Sequence, residues 1–310
     1  MATVTVNITA ARSADVDEHA AALSEWNQRY LQLARGRFSG RLRHLEFSDG
    51  LKLFRETTNI KISEFFVTPN NRTSFAIPLP GSDAVRCCNE EARPGDLIVF
   101  RPGEGYHLEC RGAFDVIGIE VENDIELDFS RGGVRVAKAD PTLATFLMTA
   151  IDKITANCPP GRTSSVSSEL ASEMSARCRA QLFATNVAKH QSTPEPSGRS
   201  AIVARARTFI ARNCQEPISV QDLARTLDIS TRTLEYSFQE VLDTTPASYI
   251  KIVRLHEARR AIRQSAPQDT VTNIAATWGF WHFGRFASDY RKLFGELPSE
   301  TRTQRRAFDC

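Results

Sequence analysis

Apolar positions change their period along the chain. Residues 15 to about 33 begin as a helix would and then lose that pattern. The run Phe38-Ser-Gly-Arg-Leu-Arg-His-Leu-Glu-Phe47 alternates loosely, as a strand does. Asp49-Gly50 is a hairpin turn signal, and Leu51-Lys-Leu-Phe-Arg-Glu-Thr57 continues on its far side. Further short strands are expected at Ile60–Phe66, Arg72–Pro78, Ala84–Cys88, Asp96–Phe100, His107–Cys110 and Ala113–Val121. Gly, Pro or Asn punctuates them every ~8–12 residues, the spacing of a sandwich or barrel. A small β-barrel encloses one small ligand.

Past residue 139 the period becomes helical. Asp140-Pro141 opens a helix whose Leu143, Phe146, Leu147, Ala150, Ile151 and Ile154 form one stripe, and Cys158-Pro-Pro-Gly161 ends it. A second helix is expected from about Ser165 to Lys189, with Val166, Leu170, Met174, Cys178, Leu182 and Phe183 on one side. Such a hairpin packs on the strands or meets a second copy of the chain. Residues 191–199, Gln-Ser-Thr-Pro-Glu-Pro-Ser-Gly-Arg, read as a linker.

The last third repeats a unit. Ser219 caps a short helix with Asp222 three residues on, and Leu223, Ala224 and Leu227 form its inner side. After a turn at Asp228-Ile229, Ser230 caps a helix with Leu234, Phe238 and Val241 inward. Thr231, Arg232, Glu235, Tyr236 and Gln239 are left outward. A long helix then runs from Pro246 to about Gln264, with Arg254, Arg259, Arg260 and Arg263 off its apolar side. Thr270, Ile274, Ala275, Gly279 and a helix from about Phe283 repeat the scheme. Its Gly284, Arg285, Ser288, Arg291 and Lys292 face out, and Gly295 stops it. Two short helices with a tight turn between them read as a helix-turn-helix.

The expected fold class is therefore α+β. Residues 1–139 form a β-barrel, 140–190 a helical hairpin suited to dimerisation, 191–199 a linker, and 200–310 an all-α domain with two helix-turn-helix units. Charge sharpens that division. The net charge of +2 conceals an excess of five positive charges over residues 199–310 and of three negative ones before it. A basic C-terminal part suits a polyanion. No run of ~18 apolar residues is present, and the N-terminus lacks a basic start followed by an apolar run, so neither a membrane span nor a secretory signal is expected. Seven cysteines without a CxxC pair suit reduced thiols in a cytoplasmic protein.

Candidate chemistry lies in two places. Arg93-Pro-Gly-Asp-Leu-Ile-Val-Phe-Arg-Pro-Gly-Glu-Gly-Tyr-His107 resembles the second half of a cupin barrel. Glu104, His107 and His44 are its only metal-ligand candidates, and without a His-x-His no metal or other cofactor is expected. His107 suits one polar contact to a ligand. Arg35, Arg37, Arg41 and Arg43 gather around Gly36 and Gly40. In an extended segment they point to one face, where guanidinium groups hold carboxylates or phosphates bidentately; the bland alternative is a solvated strand face paired with Glu46, Glu56 or Glu64.

Asp222-Leu-Ala, Pro246-x-x-Tyr249-Ile250, Arg254-Leu255 with Ala258, Ile274-Ala275, Gly279-Phe280 and Phe286-x-x-x-Tyr290-Arg-Lys-x-Phe-Gly-x-x-Pro298 together resemble the AraC/XylS family of bacterial transcription regulators. The run from Gly279 to Thr301 looks most like the XylS branch, and the N-terminal part is more loosely similar to that branch's effector domain. The resemblance implies base-reading positions at Arg232, Thr233 and Tyr236, beside the exposed Glu235, and at Gly284, Arg285 and Ser288. It implies an activator, not an enzyme, that binds promoter repeats in double-stranded DNA as a homodimer and works with RNA polymerase. A small anionic effector would switch it. An aromatic carboxylate is the first reading; cyclic di-GMP held by Arg37-x-x-x-Arg41, as in PilZ-type receptors, is the second. A cupin-type enzyme with a DNA-binding tail is the reading from a different class.

Overall fold

The computed structural model describes residues 2–23, 25–88, 90–122, 134–156, 161–187 and 198–308, without the side chains of 304–308. The chain forms two compact units. Unit 1 comprises Met1–Tyr30 and Phe38–Glu195; unit 2 comprises Leu31–Arg37 and Pro196–Cys310.

Unit 1 is β-rich. Its strands are β1 (Thr3–Ser13), β2 (Arg29–Gln32, which runs on into unit 2), β3 (Gly40–Phe47), β4 (Lys52–Thr58), β5 (Ile62–Val67), β6 (Arg72–Pro78), β7 (Val85–Cys87), β8 (Glu90–Ala92), β9 (Asp96–Phe100), β10 (Gly105–Cys110), β11 (Phe114–Glu122), β12 (Val134–Lys138) and β13 (Arg162–Ser167). Helices α1 (Val16–Ala21), α2 (Leu143–Ala156) and α3 (Ser168–Val187) complete it. One sheet has the order β12-β9-β6-β11-β4-β3-β1-β13, the other β2-β5-β10-β7-β8. The expected cupin barrel is thus replaced, among the described residues, by two sheets that do not close on one another.

Side-chain alternation makes two cores from the larger sheet. Leu97 and Val99 on β9, Leu53 on β4 and Ile117 on β11 join α2 and α3 in one cluster. Ile98 and Phe100, Phe54 and Val116, their neighbours on the same strands, join the smaller sheet in another. Because both faces are covered, β9 is buried throughout, and Leu97–Phe100 form a continuous apolar run.

The hairpin expectation needs two corrections. Residues 162–167 are not helical; they pair antiparallel with β1, Val166 opposite Val4. Met174, Cys178 and Leu182 of α3 are fully buried against strands of the same chain, so the stripe offered for dimerisation is core. Phe183 alone stays exposed, at 64%. The expected helix end at Cys158-Pro-Pro, the end of α3 beyond Val187 and residues 191–197 of the linker lie outside the described residues.

Between the sheets lies a cavity of about 30 Å³ lined by Trp26, Phe54, Glu56, Glu64, Phe66 and Phe100 among others. The Tyr30 hydroxyl donates to Glu56 Oε1 at 2.7 Å, and His19 Nε2 lies 3.0 Å from the same oxygen. Burial, and then the neighbouring Glu56 charge, raise the Glu64 carboxyl well above the usual carboxylate range. A raised folded-state value means that the stabilising effect of a neutral Glu64 is complete below its unfolded value. It is lost as pH rises through the folded value. Glu64→Gln is therefore expected to unfold at higher denaturant than wild type at pH 7, by on the order of 1 kcal/mol or more, with the difference disappearing near pH 4. Equal shifts at both pH values would show that Glu64 does not titrate with folding.

Unit 2 contains α4 (Gly198–Asn213), α5 (Val220–Thr226), α6 (Thr231–Leu242), α7 (Pro246–Gln264), α8 (Val271–Thr277), α9 (Phe283–Phe294) and α10 (Pro298–Phe308). Two clusters form its core. Leu223, Leu234, Phe238, Tyr249 and Val253 belong to one; Leu255, Ala258, Ile262, Phe286 and Tyr290 to the other. Helix α7 supplies both, with its first half to one and its second half to the other, and Trp278 packs against both.

Candidate nucleic-acid interface

Local chemistry sets two equivalent helix pairs, α5–α6 and α8–α9. Ser219 and Asp222 make a full capping box at the start of α5, and the Ser219 hydroxyl holds Asp222 below the usual carboxylate range. Thr270 caps α8 with one bond, its side chain accepting from the Asn273 N–H. Both short helices end alike. Asp228 and Gly279 take left-handed backbone (φ 56° and 80°), and the next residue's N–H reaches back, Ile229 to Ala224 O at 3.1 Å and Phe280 to Ala275 O at 2.9 Å. That six-residue closure satisfies carbonyls the helix end leaves over. The second helices also end alike, at Asp243 and Gly295 (φ 51° and 73°). A proline then opens the following helix each time, Pro246 in α7 and Pro298 in α10.

This construction leaves one face of α6 and one of α9 open. On α6, Leu234 and Phe238 are fully buried, while Arg232, Thr233, Glu235 and Tyr236 are exposed. Arg232 is held in place: its Nη2 donates to the Tyr236 hydroxyl at 3.1 Å, and the guanidinium sits 5.3 Å from that ring's centre. The Thr233 hydroxyl lies 2.8 Å from the Ser230 hydroxyl, which also caps the Thr233 N–H at 3.0 Å. Thr233 thus takes part in the cap as well as in the exposed face. On α9, Gly284, Arg285 and Ser288 are exposed, and no atom lies within 4 Å of where a Cβ at Gly284 would stand.

Two aromatic residues at the start of α9 escape sequence reasoning. Trp281 is 73% exposed and Phe283 41%. The signal was there: Phe280-Trp-His-Phe carries more aromatic surface than the inner side of one short helix can bury, and only Phe280 packs inward, its ring 4.9 Å from Phe286. His282, at the cap position, makes no side-chain cap bond.

The arginines of α7 are placed differently from the expected outer row. Arg254 is half-buried and donates to the carbonyls of Cys214 and Glu216 at 3.0 and 2.5 Å. Arg259 is buried and pairs with Glu296 at 2.8 Å, and Arg260 pairs with Glu257 at 2.6 Å.

Arg35, Arg37, Arg41 and Arg43 do not lie on one continuous strand, since β2 ends at Gln32 and β3 begins at Gly40. Arg41 and Arg43 are exposed on one face of β3, and Arg43 pairs with Asp152 at 2.5 Å. Arg35 and Arg37 group with the other unit. Gly36, at φ 120°, ends the extended run on which the two-residue period depends. His107 is half-buried on β10, its ring 5.0 Å from Phe65. Its strand neighbours Tyr106 and Leu108 face the core between the sheets, so His107 points away from it. None of these five residues lines the cavity beside Glu56 and Glu64. Among the described residues no three His, Cys, Asp or Glu side chains come together as metal ligands. No helix among them is long and apolar enough to cross a membrane.

Comparison with known proteins converges on the same residues. The family model described as a helix-turn-helix domain matches residues 223–304. Over 108 residues the chain is 40% identical to the probable thc operon regulatory protein of Rhodococcus erythropolis, covering 34% of this chain and 32% of that one. Over 101 residues it is 41% identical to the XylDLEGF operon transcriptional activator of Pseudomonas putida, covering 32% of each. The C-terminal third carries an AraC-type helix-turn-helix domain. The chain matches about a third of the length of these curated relatives. The solved AraC-like transcriptional activator CuxR is similar over 82% of this chain and 96% of its own, at 16% identity and a TM-score of 0.43. In the AraC-type unit, each second helix presents its first turns outward, where the family resemblance puts base-reading positions.

Proposed function

We propose that the chain is a sequence-specific DNA-binding regulator, an activator, in which α5–α6 and α8–α9 act as two helix-turn-helix units. One observation carries this reading: the two pairs are built alike and both leave an arginine, Arg232 or Arg285, on an open face near a helix start. Helix N-terminal residues reach base edges when such a helix lies in the major groove. The 19 residues of α7 span about 28 Å, comparable to the roughly 34 Å between successive turns of one groove.

Selection from a random DNA pool by the full chain, followed by footprinting, tests the reading. The expected result is two protected segments about one DNA turn apart, with affinity falling steeply as salt rises. Protection without sequence preference would remove the regulator reading and leave general DNA binding.

The N-terminal unit is, in this reading, the effector-responsive part, acting through dimerisation of the chain and on RNA polymerase. Arg41 is exposed on a regular strand, while Arg43 on the same face is engaged with Asp152. A small carboxylate would meet Arg41 first. Calorimetry with benzoate on wild type and Arg41→Ala is expected to show heat that the variant loses. Cyclic di-GMP serves as the comparison ligand; heat with it alone would favour the Arg37-x-x-x-Arg41 mode.

A further inference from the structure

Residues Leu31–Arg37 lie in sequence between two strands of unit 1, yet they group with the C-terminal helices. The grouping rests on specific contacts. Leu31 and Leu33 pack against the cluster built from α4, α5, α6 and the first half of α7. Gln32, between them, is fully buried. Its backbone N–H and carbonyl lie 3.0 and 3.2 Å from His256 Nε2, near the middle of α7. Its side-chain amide donates to the carbonyls of Ala34 and Gly36, at 2.9 and 2.6 Å, and also to Leu293 O of α9. The Gly36 N–H donates to that same Leu293 oxygen at 3.1 Å, and Arg37 Nε to Gly295 O at 3.3 Å.

These bonds do particular work. The last carbonyls of a helix lack partners of their own, and a cation beside them is favoured by the helix dipole. The segment supplies both to α9: amide donors at Leu293 and a guanidinium at Gly295. Gly295 is fitted to it twice over. Its φ of 73° favours glycine, and a Cβ there would stand 2.5 Å from Arg37 Cγ. His256 in turn is fully buried, with its ring edge-on to Phe294 at 5.0 Å. One short segment therefore holds the first core cluster, the middle of α7 and the end of α9 at once.

We propose that Leu31–Arg37 is a clamp that fixes the second helix pair relative to the first, with Gln32 and His256 as its positioning residues. The proposal rests on the DNA-reading role given above and adds to it the element through which the N-terminal unit acts. The chain enters the clamp from Tyr30 and leaves it at Phe38, both buried. Both rings stand edge-on to His19, at 5.6 and 5.4 Å, and Tyr30 and His19 both bind Glu56 at the cavity between the sheets. In the proposal, a rearrangement of those rings reaches the clamp through its two ends. The positions of α6 and α9 on DNA follow, because each helix gains from the other only if their spacing matches two segments of one duplex.

The test uses the full chain with Gln32→Ala, His256→Ala and His256→Gln; glutamine keeps a nitrogen where Nε2 stands. Two quantities are measured. One is amide hydrogen exchange in the last turn of α9. The other is affinity for DNA selected by wild type, intact and with one protected segment scrambled. The two alanine variants are expected to exchange ~10-fold faster there and to lose about tenfold on intact DNA, with no loss on the scrambled one. His256→Gln should stay within about twofold of wild type on both. Unchanged exchange, or an equal loss on both DNAs, overturns the clamp. Should the alanine variants fold poorly, Arg37→Ala, an exposed side chain, decides by exchange at the end of α9 alone: faster exchange supports the clamp and unchanged exchange overturns it. If wild type selects no DNA, the DNA-reading role fails while the exchange measurement still decides the clamp.

Discussion

Arg232→Ala is expected to weaken binding to a selected DNA site by about 10- to 100-fold, the equivalent of ~1–3 kcal/mol for one bidentate contact to a guanine. Binding to random DNA should change little. The structure gives the reason for a large effect. An exposed arginine ordinarily loses much side-chain freedom when it docks, but Arg232 is already held by the Tyr236 hydroxyl and ring. Tyr236→Phe removes only the hydroxyl and should cost less than Arg232→Ala. Arg285→Ala is expected to fall between a base contact and a phosphate contact, because Gly284 beside it offers no side chain. Gel shifts on selected and random duplexes separate these cases. An equal loss on both, with a shallower salt dependence, would make Arg232 a phosphate contact and remove its base-reading role.

The C-terminal unit was largely legible because its determinants are local. Ser219 with Asp222, Ser230, Thr270 and the stop at Gly295 are caps that act within a turn or two of their own positions. Helical stripes such as Leu234 and Phe238 need no knowledge of a distant partner. What the pattern misplaced has distant partners. Gln32 and His256 are 224 positions apart, so neither reads as more than a polar residue near a strand end and a histidine on a helix. Arg259 reads as an outward charge until Glu296, 37 positions on, is known.

In the β-rich unit β3 to β7 and β9 to β11 were legible one by one, and the sheets they form were not. The hairpin at Asp49-Gly50 is local, and β3 and β4 flank it as expected. Pairing of β1 with both β3 and β13 joins segments far apart in sequence. The alternation Thr3-Val-Thr-Val-Asn-Ile8 is a local strand signal, and it forms the first half of β1. Residues 162–167 follow an apolar helical stripe and precede another, and their Ser and Thr content gives little to either period. The four arginines do not share one strand for a related reason. The two-residue period holds only while the backbone stays extended, and Gly36 interrupts it.

Arg259→Ala is expected to be the most destabilising of the substitutions considered, by about 3–5 kcal/mol, because it leaves a carboxylate buried without its cation. Arg259 and Glu296 side chains are only 5% and 11% exposed. The guanidinium also lies over the Phe294 ring at 4.6 Å, and Glu296 accepts the Thr301 hydroxyl at 2.6 Å. Thr301 in turn meets the Tyr290 hydroxyl at 2.8 Å, so one network ties α7, α9 and α10. Removing the pair together should be far milder. Arg259→Met with Glu296→Leu takes away both charges and is expected to recover most of the loss. Denaturant unfolding of the C-terminal unit within the full chain measures both variants. A cost below ~1 kcal/mol for the single variant would return Arg259 to the class of exposed ion pairs. DNA binding supplies the second check. If Arg259 touched phosphate, its loss would lower the salt slope by about one. The buried pair predicts an unchanged slope for whatever fraction of the variant remains folded.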